Sequence, residues 1–346
     1  MIEALGRLFQ KPLPSACFER LARGFAHPNG VNLTASGLTR LFPAPDRYSL
    51  GARLVILVPL LFGAAVSMAT ADVPDRPAPS SAGEISKCEK WIRERPYHSK
   101  TPSRMLAISA NAACFDGQIS RESVKPILMW LSWHRSPKSR PLLAVRSGGG
   151  EADAGIDVMD KLQSTNVAVH VVDLCASSCA NYFFAGAKLR SVSYGALLLF
   201  HGGYSRASRE SIIAQMEKYR KSGTAPSAVN WDETRRTMLA DFDRNMARQD
   251  ALYARIGVND AIVHGIDGVD LDALDDADCD PGRAVPREGL FFTVSQLAAL
   301  GIRIDHGRPA TEPREVNHVI VQMGKEIEFC GVPDPIFERF RRASSR

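Results

Sequence analysis

Net charge is scarce in most of this chain. The formal charge is +5, but residues 1–71 hold seven Lys/Arg against three Asp/Glu, or +4, so the remainder carries only +1. A near-neutral body offers no basic face to a polyanion and argues against nucleic acid as a partner. No G-x-x-x-x-G-K-[ST] segment is present, and no second glycine set completes a dinucleotide fingerprint. There is neither a C-x2-C pair nor a histidine cluster, so no metal or cofactor is expected. The acidic stretch Asp267 to Asp280 misplaces the glycine and final glutamate of an EF-hand and reads as a solvated loop. Internal repeats are absent. Composition is otherwise ordinary for a globular protein, 45% hydrophobic and 23% charged over 346 residues, and suffices for one large core.

One long apolar run exists. Leu54 to Met68 holds 15 residues without a charge. Arg40, Arg47 and Arg53 precede it, and Ala69-Thr70-Ala71 and then the polar segment from Asp72 follow. Basic flank, short apolar core, small-residue ending and polar start are the parts of a secretory signal peptide over 54–71. An uncleaved inner-membrane anchor is the alternative. Residues 1–53 precede the run as a leader with no clear period, longer than a signal peptide requires. A later translation start, at a codon such as that of Val31, explains the excess. Beyond Cys17 six cysteines remain, an even number that suits export to an oxidising compartment such as the periplasm. Six allow 15 pairings. Small buried residues are an equal reading.

Residues 72–86 are rich in Pro, Ser and Ala and read as a linker. Strands are expected at 105–109, 142–146, 167–173 and within 193–201, with helices at 122–133, 152–162 and 177–187. Strand and helix alternate, so the sheet is parallel. Two charged amphipathic helices follow at 208–221 and 231–256. A short strand at 290–293, a helix at 294–300 and a basic helical tail close the chain.

Three segments could carry chemistry. Val145-Arg-Ser-Gly-Gly-Gly150 follows a strand and opens a helix, and its glycines can turn backbone N–H groups outward toward negative charge. A plain tight turn explains it equally. Asp173-Leu-Cys-Ala-Ser-Ser-Cys-Ala-Asn181 places serines between a buried strand and a helix, where N-caps are usual. It is not a G-x-S-x-G elbow. Finally, His201 ends an apolar strand beside Gly202 and Gly203, where a general base would have room for substrate.

Taken together and in order, these segments resemble the Clp protease proteolytic subunit family of the crotonase superfamily. Phe115-Asp-Gly-Gln-Ile119 is similar to its first strand turn, and Val145 to Gly150 to its I-N-S-P-G-G loop. Ala176-Ser-Ser-Cys179 is similar to its A-S-M-G nucleophile turn. Ala196 to His201 resembles the strand ending in the catalytic His, and Phe291 to Ile302 the closing F-L-S-A-x-E-A-x-x-x-G-L element. The resemblance implies an α/β fold, a Clp/crotonase-like ββα spiral with a parallel sheet, over residues 87–335. A helical hairpin would be inserted within 206–285 and a basic tail would occupy 336–346. It implies an ATP-independent serine peptidase acting on peptides or proteins, with Ser177 as nucleophile and His201 as base. Oxyanion donors would be the N–H of Gly149 or Gly150 and of Ser178. Relatives assemble as rings or trimers, so a homo-oligomer is implied.

Three departures stand out. The family's Pro is Gly148, and its Met is Ser178, which leaves room for a one-residue slip of the nucleophile. The catalytic Asp falls on Gly289, so Glu288, Asp241 or Asp243 would have to substitute, or the site is a weak dyad. A catalytically weak scaffold that binds a peptide or protein is therefore the main alternative. Bacterial signal peptide peptidases share the fold and pair Ser with Lys, which makes Lys218 and Lys221 candidates too. A crotonase-like acyl-CoA enzyme is disfavoured by export. Cys175 and Cys179 flank the turn and could form a disulfide that shapes it. N-terminal sequencing of the native exported protein is expected to begin at Asp72; recovery of residues 1–30 would refute both the cleavage and the late start.

Overall fold

A computed structural model describes residues 79–97, 102–134, 140–222, 230–264, 269–280, 285–322 and 326–343. The leader, the apolar run 54–68 and its cleavage site lie outside the described residues. Among the described residues no helix is long and apolar enough to cross a membrane.

The chain is α/β with a mostly parallel sheet. Helix α1 (Pro79–Arg93) precedes an antiparallel pair, β1 (Arg104–Ser109) and β2 (Ala112–Asp116). Helix α2 (Arg121–Trp133), β3 (Leu142–Ser147), α3 (Ala152–Gln163) and β4 (Ala168–Ala176) follow. A π-helical segment, Cys179–Phe184, leads to β5 (Leu189–Val192) and β6 (Leu197–Leu199). The sheet order is β1-β2-β3-β4-β5, with β6 also on β4, and every pairing after β1–β2 is parallel.

Strands β3 and β4 read as continuous apolar runs because both faces of the sheet are covered. On one face Cys88 and Ile92 of α1 pack on Cys114, Ala144 and Val172. On the other, Val124 and Ile127 of α2 and Ile156 and Met159 of α3 pack on Phe115, Val145 and Val171. The small residues Cys114 and Ala144 let α1 approach, and a Cys88–Cys114 disulfide staples it down. The linker expected to run to Ser86 thus gives way to helix from Pro79: the apolar stripe of Cys88 and Ile92 has a sheet to cover, and proline is tolerated in a first turn.

Strand β4 changes partner midway. Ala168 to Val171 pair with β5, while Leu174 to Ala176 pair with β6. Between them Asp173 adopts φ +60° and the β3–β4 register shifts, as at a bulge. Arg93 (2.8 Å) and Arg146 (3.6 Å) hold the Asp173 carboxylate. Arg146 also reaches Asp116 at 2.9 Å, with both side chains buried. Burial alone would raise the Asp116 carboxyl, but hydrogen bonds from Arg146 and Arg95 outweigh it and hold the group below its ordinary range.

The two charged helices are α4 (Arg206–Lys221) and α5 (Trp231–Ile256). Helix α5 turns Phe242, Gln249, Leu252 and Tyr253 into the body. After a one-turn helix α6 (Ala261–His264), a second parallel sheet pairs β7 (Arg287–Phe291) with β8 (Glu328–Gly331). Between these strands lie α7 (Val294–Ala299) and α8 (Pro313–Gln322), and α9 (Asp334–Ala343) follows them. A Cys279–Cys330 disulfide ties β8 to the acidic loop.

The buried charge pair yields a prediction. Asp116→Ala leaves Arg146 short of its nearest carboxylate and is expected to cost about 3–5 kcal/mol, read as a lower urea midpoint at unchanged m. Because the folded pKa is depressed, the contribution is complete at neutral pH and fades as pH falls below about 4. An unchanged midpoint would show that the pair does not support the fold.

Candidate functional site

The site is built where β4 runs out. Ser177, the first residue after it, sits at φ +54°, in a region that L-residues enter at a cost of about 1–2 kcal/mol. Its N–H donates to Leu199 O at the end of β6 (2.9 Å), and its carbonyl accepts the N–H of Asn181 (2.8 Å). Cys175 and Cys179, both fully buried, are joined by a disulfide that closes the turn. The helix expected from Ser177 thus begins after it, as the π-helical segment. The left-handed residue lifts the Ser177 side chain out of the helical path.

The glycine loop faces this serine. Gly149, at φ +96°, lies so close that a Cβ there would come within 2.5 Å of Ser177 Cβ and 3.1 Å of its Oγ. Gly150, at φ +147°, leaves no space for a Cβ beside Ile119 O. Only glycine fits either place. Ser178 Oγ donates to Gly150 O (2.8 Å) and locks loop to turn. Ser178 is buried and its hydroxyl committed, whereas Ser177 is half-buried. Ser177 is therefore the presented hydroxyl, and the one-residue slip loses its support. The Gly149 N–H donates to Ser147 Oγ (3.1 Å), and that of Gly148 to the Tyr97 hydroxyl (2.8 Å).

His201 lies two residues past β6, half-buried. Burial pushes its imidazole below the ordinary 6.5. Its loop is clamped from below. Asn181 Nδ2 donates to the carbonyl oxygens of His201 (3.0 Å) and Gly202. Gln249 of α5 pairs with the backbone of Tyr204 through both amide atoms (3.1 and 3.0 Å) and accepts the Tyr182 hydroxyl (2.8 Å). The Tyr253 hydroxyl donates to Asn181 O (2.6 Å). Fold and clamp bring Ser177, Ser178, Gly149, Gly150 and the His201 loop together. Among the described residues, however, no hydrogen bond joins the Ser177 hydroxyl to the His201 ring.

The remaining candidates lie on β7 and on the two charged helices. Glu288 is half-buried on β7. At Gly289, where the resemblance leads one to expect an aspartate, a Cβ would lie 2.5 Å from the Phe329 ring, so an aromatic side chain takes the space a larger residue would need. Asp243 pairs with Arg209 (2.7 Å) and Asp241 with Arg244, both on the hairpin surface. Lys218 and Lys221 are exposed on α4.

Reading the sequence passed over Asn181, Gln249, Tyr253 and Tyr97. Asn181 carried a usable signal. It is the one amide in Cys-Ala-Asn-Tyr-Phe-Phe-Ala, and a polar group in such a run must be satisfied locally. Gln249 carried none, being one polar residue among many on a charged helix.

No protein-family model matches this chain, and no curated protein matches it.

The filled seat at 289 is testable. Gly289→Asp is expected to destabilise by about 1–3 kcal/mol through overpacking and to add no activity. Phe329→Ala alongside it should ease the steric part, seen as a smaller loss from the single Phe329→Ala variant than from wild type in a double-mutant cycle of melting temperatures. Full additivity would mean that Phe329 does not occupy the space.

Proposed function

We propose that this protein is an exported serine hydrolase of the peptidase type, on a Clp-protease/crotonase-like ββα spiral. The observation that carries the reading is the Ser177 turn: a half-buried hydroxyl held at φ +54° against the backbone of a glycine loop. A strand-to-helix turn that lifts a serine in this way is what nucleophilic attack on a carbonyl needs. His201, kept neutral at pH 7 by burial, takes the Ser177 proton as the hydroxyl adds to the carbonyl carbon. The oxyanion is met by the N–H of Ser178 and by that of Gly149, which releases Ser147 Oγ, or of its neighbour Gly150. His201 returns the proton to the leaving amine, and water hydrolyses the acyl-enzyme by the same route. No cofactor enters this scheme. The three disulfides support an extracytoplasmic setting, and a peptide or protein is the proposed substrate.

Two observations favour a second reading, a catalytically weak scaffold that binds a peptide at the same site. Ser177 and His201 are not hydrogen-bonded, and position 289 offers no carboxylate. The Ser–Lys alternative has less support, because both lysines are exposed.

A fluorophosphonate probe on the mature protein separates the readings. Labelling is expected on Ser177, abolished in Ser177→Ala and retained in Ser178→Ala. Its rate should rise with pH through a midpoint below 6.5, since the free base is the active form and burial depresses its pKa; that acid limb should vanish in His201→Ala. Absence of labelling at any pH would favour the scaffold.

A further inference from the structure

We infer that Asn181 is the positioning residue of this site, aligning the His201 loop with Ser177 where the expected aspartate is missing. The inference rests on the hydrolase reading above. Asn181 lies one turn after Ser177 and is 1% exposed. Its backbone N–H fixes Ser177 O at 2.8 Å, while its side chain fixes the carbonyls of His201, at 3.0 Å, and Gly202. One residue therefore ties the backbone of the nucleophile to the backbone of the base. Two carbonyl acceptors require the NH2 group, so the amide can face only one way. That leaves Asn181 Oδ1 buried and without a partner among the described residues. A buried acceptor left open costs stability, which a packing residue such as Leu would avoid. Its retention is explained if the two Nδ2 bonds are what the site needs. From behind, the Tyr253 hydroxyl holds the Asn181 carbonyl at 2.6 Å. Helix α5 thereby supports the site twice, through Tyr253 on Asn181 and through Gln249 on the backbone of Tyr204.

Asn181→Asp and Asn181→Leu test this. Both keep the number of side-chain heavy atoms; Asp removes the donors and Leu, which is larger, removes all polarity. Fluorophosphonate labelling of Ser177 is expected to slow about 100-fold, the usual effect of misplacing a reacting group by about an ångström. The acid limb set by His201 should flatten. Leu131→Ala, a core truncation outside the site, supplies the stability control: its melting temperature should fall while the rate and the acid limb stay those of wild type. Wild-type rate and acid limb in folded Asn181→Asp and Asn181→Leu would overturn the inference. If the wild-type protein takes no label, the hydrolase reading falls, and hydrogen–deuterium exchange across residues 200–204 still decides. Faster exchange in both Asn181 variants, with exchange in α2 unchanged, supports the clamp; unchanged exchange overturns it.

Discussion

The left-handed conformation of Ser177 is the constraint on which the site depends. It costs about 1–2 kcal/mol, and neighbouring bonds must outweigh that. The bonds from Ser177 N–H to Leu199, from Asn181 N–H to Ser177 and from Ser178 Oγ to Gly150 contribute about 0.5–1.5 kcal/mol each. The Cys175–Cys179 disulfide restricts the alternatives open to the turn. These ties come from different elements: β6, the π-helical segment and the glycine loop. A residue held from three sides keeps its strained conformation because the surrounding structure over-determines it. This makes the turn a reporter on the whole sheet.

The same logic runs one step upstream. Strand β4 reaches the turn by leaving β5 for β6 at Asp173, itself left-handed. Arg93 and Arg146 hold that carboxylate, and Arg146 is in turn paired with buried Asp116. Moving such charges out of water is costly unless each finds partners. Here the partners are backbone carbonyls as well as carboxylates, since Arg146 also donates to Ile92 O and Arg95 O. Helix α1 is thus stitched to the strand ends that position Ser177. It belongs to the site's foundation rather than to a tether.

Much of this was legible beforehand, and the exceptions have physical causes. The segments 142–146 and 167–173 and the apolar stretch before His201 read correctly because a strand buried on both faces leaves a continuous apolar run. Strand β5 did not, because Leu-Arg-Ser-Val is polar in its middle. Arg190 is nonetheless buried and satisfied by the carbonyls of Phe184 and Ala185. Strand β2, Ala-Ala-Cys-Phe-Asp, lacks β-branched residues because α1 and its disulfide need small side chains beneath them. The site's outline was legible as small residues and glycines in order. Its clamp was not, because Asn181 and Gln249 act through pairings between segments far apart in sequence. No local period records such pairings.

Losing the orienting carboxylate of a triad costs about 10⁴ in rate, yet an oxyanion hole and substrate binding alone retain about 10³–10⁴ over water. On the proposed reading, position 289 serves packing rather than a carboxylate. Phe329 fills the space over Gly289, and the Cys279–Cys330 disulfide secures the strand that carries Phe329. A clamp on the carbonyls of His201 and Gly202 places the backbone of that loop relative to Ser177, through Asn181. It does not set the ring, since among the described residues no hydrogen bond reaches either imidazole nitrogen. Position is restored and orientation is not. On the hydrolase reading proposed above, nucleophile and base are near one another but the imidazole must turn before it can take the proton, which argues for turnover well below that of a full triad and well above none.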